Sequence, residues 1–256
     1  MTPMSQPLSA EPPSRAKKTP DFSVVIPFFN EEDNVGPVLE ELRAVLEDQS
    51  NSYEVILVDD GSVDTTATQL TQQAVKWPPA RVLQLAHNSG QAAALLAGTS
   101  SAKGDVIVLL DGDGQNDPAD IQKALSLLER YDMVMGHRVN RHDSFERRLI
   151  SRFGNSVRRL FIDDGVSDAG CGLKAFHREV LKAFIPIRTL YSFMPALAKA
   201  AGFTIGEFPV NHRPRRSGIP KYNLRVFLWR PAVDLLGVWW FSHRRCPRTA
   251  LKGDET

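Results

Sequence analysis

Between residues 22 and 136, short apolar runs alternate with longer stretches whose apolar positions recur at helical spacing. The runs are "FSVVIPFF" (22–29), "YEVILVDDGS" (53–62), "ARVLQLA" (80–86), "DVIVLL" (105–110) and "YDMVMG" (131–136). The first is rich in β-branched residues, the second and fourth stop at carboxylates, and each predicts a buried strand. In "NEEDNVGPVLEELRAVLEDQ", Val38, Leu39, Leu42, Val45 and Leu46 line one helical face. Glu31, Glu32 and Asp33 suit the positive N-terminal end of that helix. "DTTATQLTQQAV" predicts a second helix with Asp64 as its N-cap. "QAAALLAGTSSA" is a helix of small side chains, able to lie close on a sheet. "PADIQKALSLLER" opens another, with Pro118 near its first turn.

Strands alternating with helices imply right-handed crossovers and a mostly parallel central sheet flanked by helices, an α/β architecture. Ligands of such sheets bind beyond the carboxyl ends of the strands. After residue 137 the alternation breaks down, leaving helices and a few strands such as "FTIGEFPV" (203–210) to complete the same domain. The 256 residues suit one large α/β domain. The Pro-, Ser- and Lys-rich segment 1–20 has no apolar core, is not a signal peptide, and is expected to be a disordered tail.

Charge changes this picture more than composition does. The formal net charge is +1, but residues 1–136 carry about 9 basic and 20 acidic side chains, and residues 137–256 about 22 and 10. A basic second half suits phosphate-bearing partners, though charge runs often mean only a solvated surface. Few aromatics interleave the basic residues, which argues against a single-strand nucleic-acid platform. The two cysteines, Cys171 and Cys246, form no framework and fit a reducing compartment. The six histidines show no metal-ligand spacing.

Two strand ends concentrate carboxylates: Asp59 and Asp60, then Asp111 and Asp113 in "VIVLLDGDGQNDP". Like charges so close repel, and more so beside a low-dielectric core. A hard divalent cation, Mg²⁺ or Mn²⁺, would relieve that repulsion, with Gln115 supporting its shell. A calcium loop fits poorly, because Asn116 stands where its glycine belongs and Gln122 where its bidentate Glu belongs. A solvated turn that breaks the strand is the plainer alternative.

"VVIPFFNEEDN", "VILVDDGSVDTT", "HNSGQAAALLAG" and "GDVIVLLDGDGQNDP", in this order and spacing, resemble family 2 glycosyltransferases. The likeness runs over about residues 22–240 and is greatest to the dolichol-phosphate-mannose-synthase-like branch, which glycosylates polyprenyl phosphates. It implies the nucleotide-diphosphosugar transferase (GT-A) fold, with a catalytic domain over 21–230 and a C-terminal amphipathic helix and basic tail over 231–256. It places Pro27, Phe29 and Glu31 in a nucleotide pocket, with Phe29 where the branch more often has Tyr. Asp60 would contact base or ribose. Asp111, Asp113 and Gln115 match the family's metal triplet, and the glycines of D-G-D-G-Q predict a flexible version of that loop.

The same resemblance reads "GHRVNRHDSFERRLISRFGN" (136–155) as a phosphate-receiving segment, with Arg138, Arg147 and Ser151 aligned to it. An exposed basic helix is the alternative reading. "HRPRRSGIPKY" (212–222) matches a second block, giving Arg215, Lys221 and Tyr222, with Pro220 in place of the usual Ser; the alternative is a basic linker. "SDAGCGLKAFHREVL" (167–181) is expected to form a pocket wall and helix, with Cys171 a small buried residue. The implied reaction is an inverting displacement by an acceptor phosphate on a nucleotide-diphosphate sugar, GDP-mannose or a UDP-sugar. Asp113, Arg138, Arg147, Arg215 and Lys221 would carry it. A soluble or cell-envelope glycan or a protein as acceptor, or a non-catalytic subunit that retains the fold, are the rivals. "PAVDLLGVWWF" (231–241) is too short to span a bilayer, and basic residues follow it. It predicts either a core-docked helix or peripheral attachment to the cytoplasmic face of a membrane, alone or with a membrane-protein partner.

Overall fold

The computed structural model describes residues 19–139, 162, 164–211, 213–214 and 224–245, with side chains of the last segment from residue 233 onward. Arg147, Ser151, Arg215, Lys221 and Tyr222 lie outside the described residues, as do the tail through residue 18 and the chain beyond residue 245.

In chain order the elements are β1 (Phe22–Phe28), α1 (Glu32–Glu47), β2 (Tyr53–Asp59), α2 (Thr66–Lys76), β3 (Ala80–Gln84) and α3 (Gln91–Ser101). Next come β4 (Val106–Leu109), α4 (Asp120–Leu127), β5 (Met133–Arg138), β6 (Lys174–His177) and a 3₁₀ helix (Arg178–Ala183). α5 (Leu190–Ala200), β7 (Ile205–Val210) and α6 (Leu224–Arg244) follow. The strands form one sheet in the order β3-β2-β1-β4-β6-β5-β7. β1 pairs in parallel with β2 and β4, β2 with β3, and β5 with β7; β6 alone runs antiparallel to both neighbours.

The expected strands appear with altered ends: β1, β2, β3, β4 and β7 are shorter than their runs, and β5 starts at Met133 and continues through His137 to Arg138. β6 was not expected: residues 174–177 read as pocket wall and helix, but they form a strand and only 178–183 turn helical. The four residues Lys174, Ala175, Phe176 and His177 are too few to display a period, and a lysine at the start disguises a strand buried between two others.

Alternate residues of each strand feed two cores. Val24 and Ile26 of β1 meet α1 (Val35, Val38, Leu39, Leu42 and Leu46), α2 (Leu70) and α4 (Ile121 and Ala124) on one face. Val25 and Val58 meet α3 (Ala94 and Leu95), α5 (Phe193 and Leu197) and α6 (Leu235 and Val238) on the other. α3 approaches the sheet as its small residues predict: a Cβ on Gly98 would stand 2.4 Å from Val25 Cγ1 and 2.9 Å from Val58 Cγ2. The N-cap of α2 is Thr65, one residue beyond the expected Asp64, although the Asp64 carboxylate accepts the Thr66 backbone N–H at 3.0 Å.

Candidate active site

Because six strands run the same way, their carboxyl ends share one edge of the sheet, and the acidic residues gather there. β2 ends in Asp59 and Asp60, both buried. The Asp60 carboxylate accepts the Ser89 N–H at 2.8 Å and the Gly90 N–H at 2.9 Å, tying β2 to the start of α3. Asp59 Oδ1 accepts the Ser62 N–H at 3.2 Å, while Oδ2 is buried without a hydrogen-bond partner. Pro27 is the penultimate residue of β1, and Phe29 follows the strand into a turn where Asn30 takes a positive φ of 48°. Glu31 is buried and accepts the Asn34 side-chain amide at 2.5 Å, and its own N–H donates to Thr66 Oγ1 at 2.8 Å. The loops after β1 and β2 are thus one bonded unit. Pro27, Phe29, Glu31 and Asp60 all lie at or just beyond the ends of β1 and β2.

Asp111 and Asp113 follow β4. Gly112 between them is a packing requirement rather than a source of mobility. A Cβ there would lie 2.7 Å from the Pro27 carbonyl oxygen and 2.6 Å from the Phe28 ring. The flexible loop expected from the glycines is therefore wedged at its first turn. Gly114, at φ 73°, then reverses the chain in a conformation few other residues adopt. Asp113 is buried and accepts the Gln115 N–H at 3.1 Å. Gln115 turns its side-chain amide to the Arg213 carbonyl at 3.2 Å, and its own carbonyl accepts the Arg213 N–H at 3.1 Å. Arg213, which the sequence reading passed over, also pairs with Glu41 and, at 2.7 Å, with Asp117.

Asp111 is held by three side chains from other parts of the chain. Its Oδ1 accepts the Gln91 side-chain amide at 2.9 Å, its Oδ2 accepts the Tyr191 hydroxyl at 3.2 Å, and its N–H donates to Asn116 Oδ1 at 3.0 Å. The residue keeps one side toward solvent, but atoms crowd its carboxyl. That enclosure, with the negative charge of Asp113, raises its pKa to about 6 against the opposing pull of Lys174. Lys174 is wholly buried at the start of β6, its Nζ 2.5 Å from the Cys171 carbonyl and 3.5 Å from the Tyr191 ring centre. Cys171 is buried, and enclosure pushes its thiol pKa up, as befits a packing residue. Arg138 closes β5 in a two-pronged pair with Asp168, at 2.6 and 2.8 Å. Burial opposes the charge, but the Asp168 carboxylate more than offsets it and raises the guanidinium pKa.

Gln91, Asp168 and Lys174 lie within stretches that carry the resemblance but were given no role of their own, and Tyr191 lies in none of them. Tyr191 and Lys174 reach the site only through the antiparallel insertion of β6 and the return of α5. Among the described residues no group of three or more His, Cys, Asp or Glu is placed to hold a metal. Asp111 and Asp113 offer only hard oxygen donors, which suits Mg²⁺ or Mn²⁺ completed by phosphate and water oxygens.

A family model for glycosyl transferase family 2 matches residues 23–185, a span that holds the whole acidic edge. The chain belongs to that family. This family 2 glycosyltransferase chain is 37% identical over 228 residues to the dodecaprenyl-phosphate galacturonate synthase of Rhizobium johnstonii, covering 86% of this chain and 67% of that protein. It is 37% identical over 211 residues to the undecaprenyl-phosphate 4-deoxy-4-formamido-L-arabinose transferase of Edwardsiella ictaluri, covering 81% and 65%. The chain spans about two thirds of the length of these curated relatives. Its architecture is the GT-A fold. It superposes with a TM-score of 0.66 on glucosyl-3-phosphoglycerate synthase from Mycobacterium tuberculosis, solved with Mn²⁺ and UDP-glucose, at 20% identity over 86% of this chain and 79% of that one.

Proposed function

We propose that this family 2 chain transfers a sugar from a nucleotide-diphosphate sugar to a polyprenyl phosphate, with inversion at the anomeric carbon. The observation that carries the reading is the pair Asp111 and Asp113, half-buried and buried, at the carboxyl edge of the sheet, in a chain whose two relatives above are both named for polyprenyl-phosphate chemistry. The sequence resemblance leaves the donor as GDP-mannose or a UDP-sugar. The relatives' names carry galacturonate and a formamido-arabinose, so the proposal commits to the class of nucleotide sugar and not to one member.

Asp111 and Asp113 would hold Mg²⁺ or Mn²⁺, whose charge would offset the negative charge that gathers on the departing diphosphate. Pro27, Phe29, Glu31 and Asp60 would form the nucleotide floor. The acceptor phosphate is already anionic near neutral pH, so no strong general base is required. The work left to the protein is positioning, for which Arg138 is suited because Asp168 fixes its plane. Arg147, Arg215 and Lys221 would add phosphate contacts, Arg by paired donors and Lys as a point charge. Such an acceptor keeps its tail in a bilayer, so the chain would work at a membrane surface, on its cytoplasmic face. Among the described residues no helix is long and apolar enough to cross a membrane.

Incubating the chain with a panel of radiolabelled nucleotide sugars and a short polyprenyl phosphate in detergent tests this. Lipid-phosphate-linked label should form with Mn²⁺, vanish with chelator, and fall to background in Asp113→Ala while the variant remains folded. Transfer that survives both chelation and Asp113→Ala would exclude the metal role. Transfer to a water-soluble glycan instead would exclude the lipid acceptor.

A further inference from the structure

Three elements distant in sequence converge on one carboxylate. The first residue of α3, Gln91, donates to Asp111 Oδ1 at 2.9 Å. The second residue of α5, Tyr191, donates to Oδ2 at 3.2 Å. Beneath them, at the start of β6, Lys174 places its ammonium 3.5 Å from the centre of the Tyr191 ring. The backbone leading into β6 closes the remaining side: a Cβ on Gly172 would lie 2.3 Å from Asp111 Oδ2. Asp113, by contrast, takes a hydrogen bond from the backbone N–H of Gln115 in its own loop.

We infer that Tyr191 is a positioning residue for Asp111, held over the buried ammonium of Lys174 so that its hydroxyl, with the Gln91 amide, fixes the direction of the metal-facing carboxylate. The inference rests on the proposed cation site at Asp111 and Asp113. The chemistry is that of outer hydrogen bonds around a metal ligand: a carboxylate that already points the right way loses less freedom when the cation arrives. The ring–ammonium contact gives Tyr191 a reason to stay put when no cation is bound, since an aromatic face attracts a cation and a desolvated pair does so strongly. Lys174 itself is fully enclosed. It acts through the ring.

Tyr191→Phe separates the two parts, because it keeps the ring over Lys174 and deletes only the hydroxyl. Mn²⁺ titrations in the presence of saturating UDP or GDP, followed by the electron paramagnetic resonance of free Mn²⁺, are compared for the parent, Tyr191→Phe, Gln91→Ala and Asp113→Asn. Thermal unfolding is measured with and without Mn²⁺. The expected result is Mn²⁺ affinity about 10–100-fold weaker in Tyr191→Phe and in Gln91→Ala, the range typical for groups that orient a metal ligand. The metal-induced rise in melting temperature should shrink in step, while both variants still unfold cooperatively without metal. An unchanged Mn²⁺ affinity in Tyr191→Phe, with Asp113→Asn losing it, overturns the positioning role and leaves the cation site standing. A fall in melting temperature that is equal with and without Mn²⁺ also overturns it, since that is what a purely structural hydroxyl would give. A parent chain that binds no Mn²⁺ with either nucleotide overturns the cation site and this inference with it.

Discussion

The ammonium of Lys174 is shut off from solvent, and that enclosure draws its pKa down to about 8 although the nearby Asp111 carboxylate pulls the other way. The unfolded chain keeps a lysine near 10.5, so between about pH 8 and 10.5 the native state holds fewer protons than the unfolded one. Stability then rises with pH across that window, and the cost of the buried charge is fully present below it. Lys174→Met keeps the length of the side chain and removes the titration. Urea denaturation from about pH 7.5 to 10 should show the parent gaining on the order of 2 kcal/mol relative to the variant, from the energy of the proton shift. Parallel stability curves would mean that Lys174 does not titrate in this range. The same residue explains why the site has a cost at all. Two carboxylates and one ammonium share a small volume here, an arrangement favoured for function more readily than for stability.

At the scale of elements, α3 shows how a run of small residues becomes architecture. Gly98→Ala pushes a methyl into Val25 and Val58, which are stiff and anchored in central strands. It should cost about 1–3 kcal/mol, the usual range for an overfilled core, measured as a lower urea midpoint with an unchanged slope. A loss within error of zero would mean that α3 can lift off the sheet freely. The closeness of α3 was legible because alanines and glycine admit no other use on a buried face. So were the parallel strands, whose apolar runs have hard polar ends, and the edge where Asp60, Asp111 and Asp113 collect. The rest was hidden for physical reasons. β6 is short and starts with a charged residue, so it carries no periodic signal. Gln91 and Tyr191 lie at helix starts that look ordinary until the fold places them on either side of Asp111. Gly112 seemed a source of looseness because a sequence does not show that Pro27 and Phe28 stand beside it. The basic segments named for phosphate contacts fall largely outside the described residues. The expectation for Arg147, Ser151, Arg215 and Lys221 therefore stays an expectation from resemblance.

On the whole molecule, α6 joins a core contact and an exposed apolar stripe on one helix. Leu235 and Val238 pack into the core beside α5, Asp234 accepts the Thr189 hydroxyl at 2.6 Å, and Arg245 donates to the Ala183 carbonyl at 2.8 Å. The core-docked alternative is thus correct for one side. The other side shows Val233, Leu236, Trp239 and Trp240 to solvent, with Trp240 58% exposed. His243, Arg244 and Arg245 follow at the end of the helix. Apolar residues flanked by basic ones suit an anionic bilayer surface, where each basic side chain adds about 1 kcal/mol. Removing the whole helix would open the core, so the informative variant is Leu236→Ser with Trp240→Ser. It should float with anionic vesicles several-fold less than the parent at low salt, with an unchanged melting temperature. Equal flotation would assign the stripe to a protein partner rather than to lipid.

The antiparallel strand has a consequence for the order of assembly. β1, β2, β3 and β4 can pair as soon as residue 109 has been made, but the outer side of β4 has no neighbour until Lys174–His177 arrive. During that interval Val106, Ile107, Val108 and Leu109 present an apolar strand with unpaired backbone groups, a template for the wrong partner. Chains halted shortly before residue 174 should therefore aggregate when released, whereas chains halted after residue 210, once β7 too is present, should stay dispersed. Sedimentation of released chains of graded length measures this, and equal solubility on the two sides of that boundary would show that the half-built sheet protects its own edge. The strand that carries Lys174 beneath the acidic site is also the one that ends the vulnerable stage of synthesis.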